Sequence, residues 1–190
     1  MIIEEIQKIS KSIEQKVIAY RRDFHKYAEA GWTEFRTASL VARRLTDLGY
    51  TIKIGPEVIR EDARMGVPSP VELENHWQRA KAQGADPEYI DVLRGGFPGV
   101  VGILRNGSGP TIGMRFEMDA LGVDESQQGT HRPFREGFSS VNPNVMHACG
   151  HDSHTATGLA VAEILMQLKE ELRGTVKLIF QPAEEGVRGA

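Results

Sequence analysis

Residues 155–186 read TATGLAVAEILMQLKEELRGTVKLIFQPAEEG, and the architecture of the chain follows from this run. Leu165, Leu168 and Leu172 recur at three- and four-residue spacing, which predicts a helix over residues 155–172 with those leucines turned inward. Gly174 is a natural helix stop. Residues 175–181 (TVKLIFQ) read as a short apolar strand, central in its sheet. A helix feeding a buried strand is the building unit of an α/β domain. Glu184 and Glu185 stand just past the end of that strand.

Working outward, residues 99–105 and 111–118 flank the turn Asn106-Gly107-Ser108-Gly109-Pro110. Ile112, Met114, Phe116 and Met118 alternate, so the pair reads as a β-hairpin. Residues 120–146 are irregular, and a loop of that length in a compact domain is commonly functional. At the start of the chain, Ile3, Ile6, Ile9, Ile13, Val17, Tyr20, Phe24 and Tyr27 form one stripe of a long helix. Residues 34–48 read as a second helix with Ala38, Val41, Leu45 and Leu48 inward, stopped by Gly49, and residues 50–54 as a strand. Residues 55–98 interrupt the rhythm as a helical insertion. Within it Ser69-Pro70-Val71-Glu72 carries a capping box and a first-turn proline, predicting a helix to about Gln83 with Leu73, Trp77 and Ala80 on one face. Asp86-Pro87 reads as the start of another short helix. The glycine-rich run 94–99 lacks a phosphate-loop lysine and reads as a turn. Helices interleave with at least four strands, so the fold class is α/β.

The 190 residues carry 23 Lys and Arg against 26 Asp and Glu, a net charge of −3. That balance argues against a wholesale nucleic-acid binder and against a polybasic membrane protein. No apolar run approaches the roughly 20 residues needed to span a bilayer. The amphipathic, acid-bearing start MIIEEIQKISKSIEQ is unlike a signal peptide. One cysteine excludes an internal disulfide and fits a reducing cytoplasm, the expected location.

That cysteine lies in Met146-His147-Ala148-Cys149-Gly150-His151-Asp152-Ser153-His154, with three His, one Cys and one Asp in nine residues. Thiolate and imidazole two residues apart can turn toward one metal ion, and both suit Zn²⁺ and its neighbours. An adjoining helix N-terminus is expected to favour the thiolate. The bland alternative is a small buried cysteine beside helix-capping histidines. Glu184 and Glu185, at the carboxyl end of a buried strand, sit where α/β sheets commonly bind ligands. One can bind metal while the other faces a water. Asp119 and Glu117, in Arg115-Phe116-Glu117-Met118-Asp119-Ala120-Leu121, end another strand on one face. Either could orient a ligating histidine or bind metal itself. Together these groups read as a metal site that activates water for attack on an amide or ester carbonyl. His25 reads as a satisfied packing histidine, and His76 and His131 as surface or loop residues.

RRDFHKYAEAGWTEFRTA (residues 21–38), MRFEMDAL (114–121), MHACGHDSHTA (146–156) and GTVKLIFQPAEEG (174–186) occur in this order across nearly the whole chain. In them the chain resembles the metal-dependent aminoacylase, hippurate hydrolase and auxin-conjugate hydrolase group of zinc-carboxypeptidase-like amidohydrolases. The insertion at 55–98 and the wording THRPFR at 130–135 favour its p-aminobenzoyl-glutamate-cleaving branch. The resemblance implies a three-layer αβα domain with a mixed central sheet. It also implies a centre of two divalent ions, Mn²⁺ or Zn²⁺, with Cys149, His151 and Glu185 as ligands. It makes Glu184 the general base and Asp119 the supporting carboxylate. The implied reaction is hydrolysis of the amide joining an acyl or aroyl group to an amino acid, with a homologous second subunit or a homodimer as partner. Glu117 replaces the usual Asp, Gly122 stands where Pro often follows, and Ser153 replaces a Gly; none removes a ligand.

The same resemblance makes residues 1–190 the N-terminal part of a catalytic domain, without the lid or dimerisation domain and without the C-terminal catalytic part. The expectation is half a metal site and no turnover by these residues alone. Two other readings compete. Cys149 could be the nucleophile of a cysteine amidohydrolase with His151 or His154 as base, or the chain could be a non-catalytic assembly subunit whose open strand edges bind a partner.

Overall fold

The computed structural model describes residues 2–186 and 188–189. Helix α1 (Ile2–Lys26) leads into α2 (Phe35–Asp47) and strand β1 (Thr51–Ile54). The insertion follows, with helix α3 (Pro70–Ala82) between 3-10 turns. Strands β2 (Val100–Asn106) and β3 (Thr111–Glu117) come next, then the one-turn helix α4 (Arg132–Arg135), helix α5 (His151–Gln167) and strand β4 (Gly174–Gln181). The four strands form one mixed sheet in the order β1-β2-β4-β3.

That order corrects the expected hairpin. β2 and β3 are not neighbours: β4 lies between them, antiparallel to β2 and parallel to β3. Two local strands joined by a short turn look like a hairpin in sequence. β4 takes the interior position between them, with Leu178 and Phe180 buried. The 106–110 turn therefore arches over the start of β4, and Thr175 donates its backbone N–H to Pro110 O at 2.9 Å. The approach is close enough to require glycine at 174, where an added Cβ would stand 2.2 Å from Pro110 O.

One face of the sheet carries Leu104, Phe116, Leu178 and Phe180 and is covered by α2 and α5 through Val41, Leu45, Leu159 and Ala162. Gly158 lets α5 close on the sheet: a Cβ there would lie 2.7–2.8 Å from the Phe180 and Phe116 rings. Helix α5 starts four residues earlier than its apolar pattern indicates, at His151, with Gly150 in a left-handed conformation at its N-cap. Its long stripe also ends early, and residues 169–171 form a 3-10 turn. Helix α1 packs antiparallel on α5, Arg21 meeting Asp152 and Lys16 meeting Glu163. Because α5 ends at Gln167, the first turns of α1 run past it. Ile9 and Ile13 are buried, while Ile3 and Ile6 are exposed despite lying on the same stripe.

Helix α3 forms as its capping box predicts: Ser69 Oγ accepts from Glu72 N and Glu72 returns a bond to Ser69 N. Leu73, Trp77 and Ala80 are buried against the core. The segment after Asp86-Pro87 forms turns and a 3-10 turn at Asp91–Leu93 rather than an α-helix.

The 120–146 loop is irregular apart from α4, and three of the contacts that fix it stand out. Leu121 and Met146 bridge its ends. Asn142 Nδ2 donates to Ala28 O at 2.7 Å. The third tie is a buried ionic cluster. His25 of α1 bonds Asp152 through Nδ1 at 2.8 Å and Glu125 of the loop through Nε2 at 3.0 Å. Glu125 also meets His131 Nε2 at 2.7 Å. His25 is thus the satisfied packing histidine expected, and His131 is a loop residue bonded to Glu125. Burial alone would depress the His25 pKa, but its bonds to Asp152 and Glu125 outweigh that and the net shift is upward. Glu125 shifts downward, because the bonds from His25, Ser140 and His131 outweigh its burial.

Two outcomes are expected. Gly158→Ala overpacks the α5–sheet contact and should cost about 1–3 kcal/mol, read as a lower urea midpoint at unchanged slope. For His25 the sign follows from its raised folded pKa. Its contribution is complete below the unfolded value of 6.5 and is lost as pH rises through the folded value. Glu125 contributes above its ordinary 4.5 and loses that as pH falls through its depressed value. The stability deficit of His25→Gln should therefore be largest between those two ordinary values and shrink in alkali. A deficit independent of pH from 4 to 9 would contradict the ionic account.

Candidate metal centre

The site forms where β3 and β4 end side by side and α5, the helix between them in sequence, begins. Met118 N donates to Gln181 O at 3.0 Å, carrying the parallel pairing one step past the strands. Asp119 follows and is almost wholly buried. Its Oδ1 accepts from Glu184 N at 3.0 Å and its Oδ2 from Glu185 N at 2.9 Å. Its backbone carbonyl lies 2.9 Å from His151 Nδ1. A carbonyl only accepts, so Nδ1 carries the proton and Nε2 keeps the free lone pair. Asp119 therefore orients the other groups, and both of its carboxylate oxygens are engaged in doing so.

Cys149, His151 and Glu185 converge: one ligand atom from each lies within 4.8 Å of the other two. His151 is fixed in the first turn of α5 and buried, Glu185 is half-buried, and Cys149 is exposed. The bland reading of a buried structural cysteine is thereby overturned. The helix N-terminus does not win at the thiol either. Burial, then the hydrogen bond to Glu185 and the charges of Glu185, Glu184 and Asp119, push the Cys149 pKa up. Glu184 Oε2 lies 3.7 Å from His151 Nε2, on the side of the ring with the free lone pair.

The donor set fits a divalent cation. Asp119, Glu184 and Glu185 gather three carboxylates, and the ionic partner of each among the described residues is His151 alone. Glu185 Oε1 is buried without a hydrogen-bond partner. Such a concentration of unneutralised charge calls for a cation, and sulfur, nitrogen and oxygen donors together suit Zn²⁺ or a neighbouring transition ion.

Glu117 takes another part. It is buried, bonded to His154 Nδ1, and meets Arg115 Nη2 at 2.7 Å. Glu117, His151 and His154 also approach one another closely enough to share an ion. His147 and Glu34 are among the buried groups to which the sequence reading gave no individual role. His147 has neither ring nitrogen hydrogen-bonded, and its pKa, driven down to about 4 chiefly by burial, leaves it neutral. Glu34 has no exposed surface and accepts the Ala183 N–H at 2.7 Å. No local signal marked Glu34, since a glutamate before a helix ordinarily faces water.

Known proteins are similar to the chain in sequence and in fold. Residues 113–190 match the model of peptidase family M20/M25/M40. The chain is 50% identical over 189 residues to one of the subunits of p-aminobenzoyl-glutamate hydrolase from Escherichia coli, covering 99% of this chain and 43% of that protein. It is 54% identical over 172 residues to indole-3-acetyl-aspartic acid hydrolase of Enterobacter agglomerans, covering 90% of this chain and 39% of that protein. Among solved structures, a Bacillus subtilis protein described as a dinuclear metal binding peptidase from the M20 family superposes with a TM-score of 0.63 at 29% identity. That match covers 94% of this chain and 38% of that one. The chain thus spans about two fifths of the length of the curated relatives it matches. On its sequence and its fold, the chain belongs to peptidase family M20/M25/M40.

Proposed function

We propose that the chain supplies part of the centre of a metal-dependent amidohydrolase. The substrate class is an N-acyl or N-aroyl amino acid, with p-aminobenzoyl-glutamate the first candidate. The convergence of Cys149, His151 and Glu185 beside the Asp119-held turn carries this reading. The two relatives are named for amides of glutamate and of aspartic acid with an aromatic acyl group. An acidic amino acid as the leaving part is therefore part of the proposal.

Cys149, His151 and Glu185 hold the metal in this reading, two divalent ions of Zn²⁺ or Mn²⁺ being the complement of the whole protein. When bound, such an ion polarises the amide carbonyl and lowers the pKa of a water. Glu184 takes the proton from the attacking water and delivers it to the departing amine nitrogen. Its carboxylate, 3.7 Å from His151 Nε2, lies within the same site on the side where the ring offers its lone pair. Asp119 fixes the His151 tautomer through Nδ1 and holds both glutamate backbones, so neither carboxylate must reorganise as charge develops. The three carboxylates around Cys149 weigh against a cysteine nucleophile, because they oppose a free thiolate and favour a cation-bound one. One S, one N and one O donor are fewer than the four ligands Zn²⁺ ordinarily takes. These residues alone are accordingly proposed to bind metal without turning substrate over. The Escherichia coli relative is named as one subunit of its enzyme, which implies another for that protein. A homologous second subunit is therefore the proposed partner here, and the cytoplasm the proposed location.

Plasma mass spectrometry of the purified chain should find close to one equivalent of Zn or Mn, lost in Cys149→Ser. In the whole protein, Glu184→Gln should lower p-aminobenzoyl-glutamate hydrolysis about 10²- to 10⁴-fold with metal content unchanged. Full activity in Glu184→Gln, or stoichiometric inactivation by alkylation of Cys149 in metal-free protein, would refute the mechanism.

A further inference from the structure

Three successive backbone N–H groups, those of Ala183, Glu184 and Glu185, end on two buried carboxyl groups. Ala183 N bonds Glu34 Oε1 at 2.7 Å, and Glu184 N and Glu185 N bond the two oxygens of Asp119 at 3.0 and 2.9 Å. The acceptors come from far-apart parts of the chain, Glu34 from the residue before α2 and Asp119 from the residues after β3. Glu34 caps no helix with its side chain. It meets no Lys or Arg among the described residues, unlike its neighbour Glu29, which bonds the Arg36 and Thr37 amides and faces Arg79. Its second oxygen is buried without a hydrogen bond. The turn it holds is one the chain does not adopt cheaply. Ala183 has φ of +51°, a left-handed conformation that a residue with a Cβ rarely takes. Gly31 also packs on it so closely that a Cβ at 31 would lie 3.1 Å from Ala183.

We infer that Glu34 is a positioning residue for Glu184 and Glu185, anchoring the left-handed residue ahead of them so that both carboxylates project into the site. This rests on the metal-centre reading for its consequence, while the anchoring itself stands on the hydrogen bonds alone. Asp119 by itself fixes where the 184 and 185 amides sit. Glu34 fixes the direction from which the chain arrives, and without it Ala183 is free to return to ordinary backbone conformations. The role needs an acceptor rather than a charge. Burial first, and then the neighbouring Asp119 charge, hold the Glu34 pKa well above the usual carboxylate range. A carboxyl oxygen accepts the Ala183 N–H in either protonation state, and a glutamine presents an equivalent carbonyl oxygen.

The test is amide hydrogen exchange by NMR on the wild-type chain, Glu34→Gln and Glu34→Ala, each followed by cobalt(II) titration watched through the thiolate absorption. In Glu34→Ala the amides of 183–185 should exchange at least about tenfold faster while Leu178 and Phe180 in mid-β4 keep their protection. Cobalt affinity should fall about tenfold or more. In Glu34→Gln both should stay within about threefold of wild type. Unchanged exchange at 183–185 in Glu34→Ala, or an equal rise along all of β4, would overturn the inference. If Glu34→Ala does not fold, a folded Glu34→Gln that keeps protection at Ala183 supports it and one that loses protection there overturns it. Wild-type chain that takes up no cobalt but shows the expected exchange pattern would sink the metal reading and leave the anchoring role supported.

Discussion

The carboxylate of Asp119 is the interaction on which the rest of this site depends. It is almost completely buried beside two further glutamates, and it is held by two backbone N–H groups and by His151. Charge-assisted bonds of this kind are among the stronger ones a protein makes. In forming them Asp119 ties the end of β4 to the end of β3, and its carbonyl ties both to the first turn of α5. A cysteine and a histidine at the start of α5 and two glutamates past the end of β4 are thereby brought to one place. The site is thus a product of the parallel β3–β4 pairing: were these strands apart, no single side chain could reach all three elements.

The sheet has a corresponding logic. Helix α5 connects two parallel neighbours, and its N-terminus opens at the same edge where both strands finish. Loops at that edge have room for polar and ligating groups, while the opposite faces of the same residues build the core. Gly158 permits the close approach of helix to sheet, and the position of His151 relative to Glu184 follows from that approach. Core packing and site geometry are consequently set by one contact.

Much of this was legible in the sequence wherever the determinant was local. The capping box Ser69-Pro70-Val71-Glu72 specifies the start of α3 without reference to anything distant, and the apolar run of β4 announces a central strand. The pairing of β2 with β3 was misread because neighbours in a sheet are chosen by burial over the whole chain, and β4 outcompetes the adjacent strand. Cys149, His151, Glu184 and Glu185 stood out by chemical type and by closeness in the chain. Glu34 and His147 did not, because a buried glutamate or histidine is written with the same letter as a solvated one. Whether such a group is buried is decided only when segments more than a hundred residues apart meet, as Glu34 and Ala183 do.

The strand order also governs the sequence of events in folding. β2 and β3 are synthesised well before β4, yet neither can pair with the other in the native sheet, since the place between them belongs to the later strand. Until β4 is inserted, both present open hydrogen-bonding edges to the solution, a state prone to mispairing and association. Closure requires contacts spanning many tens of residues, the kind that slows folding. The turn that carries Glu184 and Glu185 is attached to that same last strand. The convergence of Cys149, His151 and Glu185 is therefore coupled to the final closure of the sheet, and before that closure Cys149 and His151 stand without Glu185 beside them.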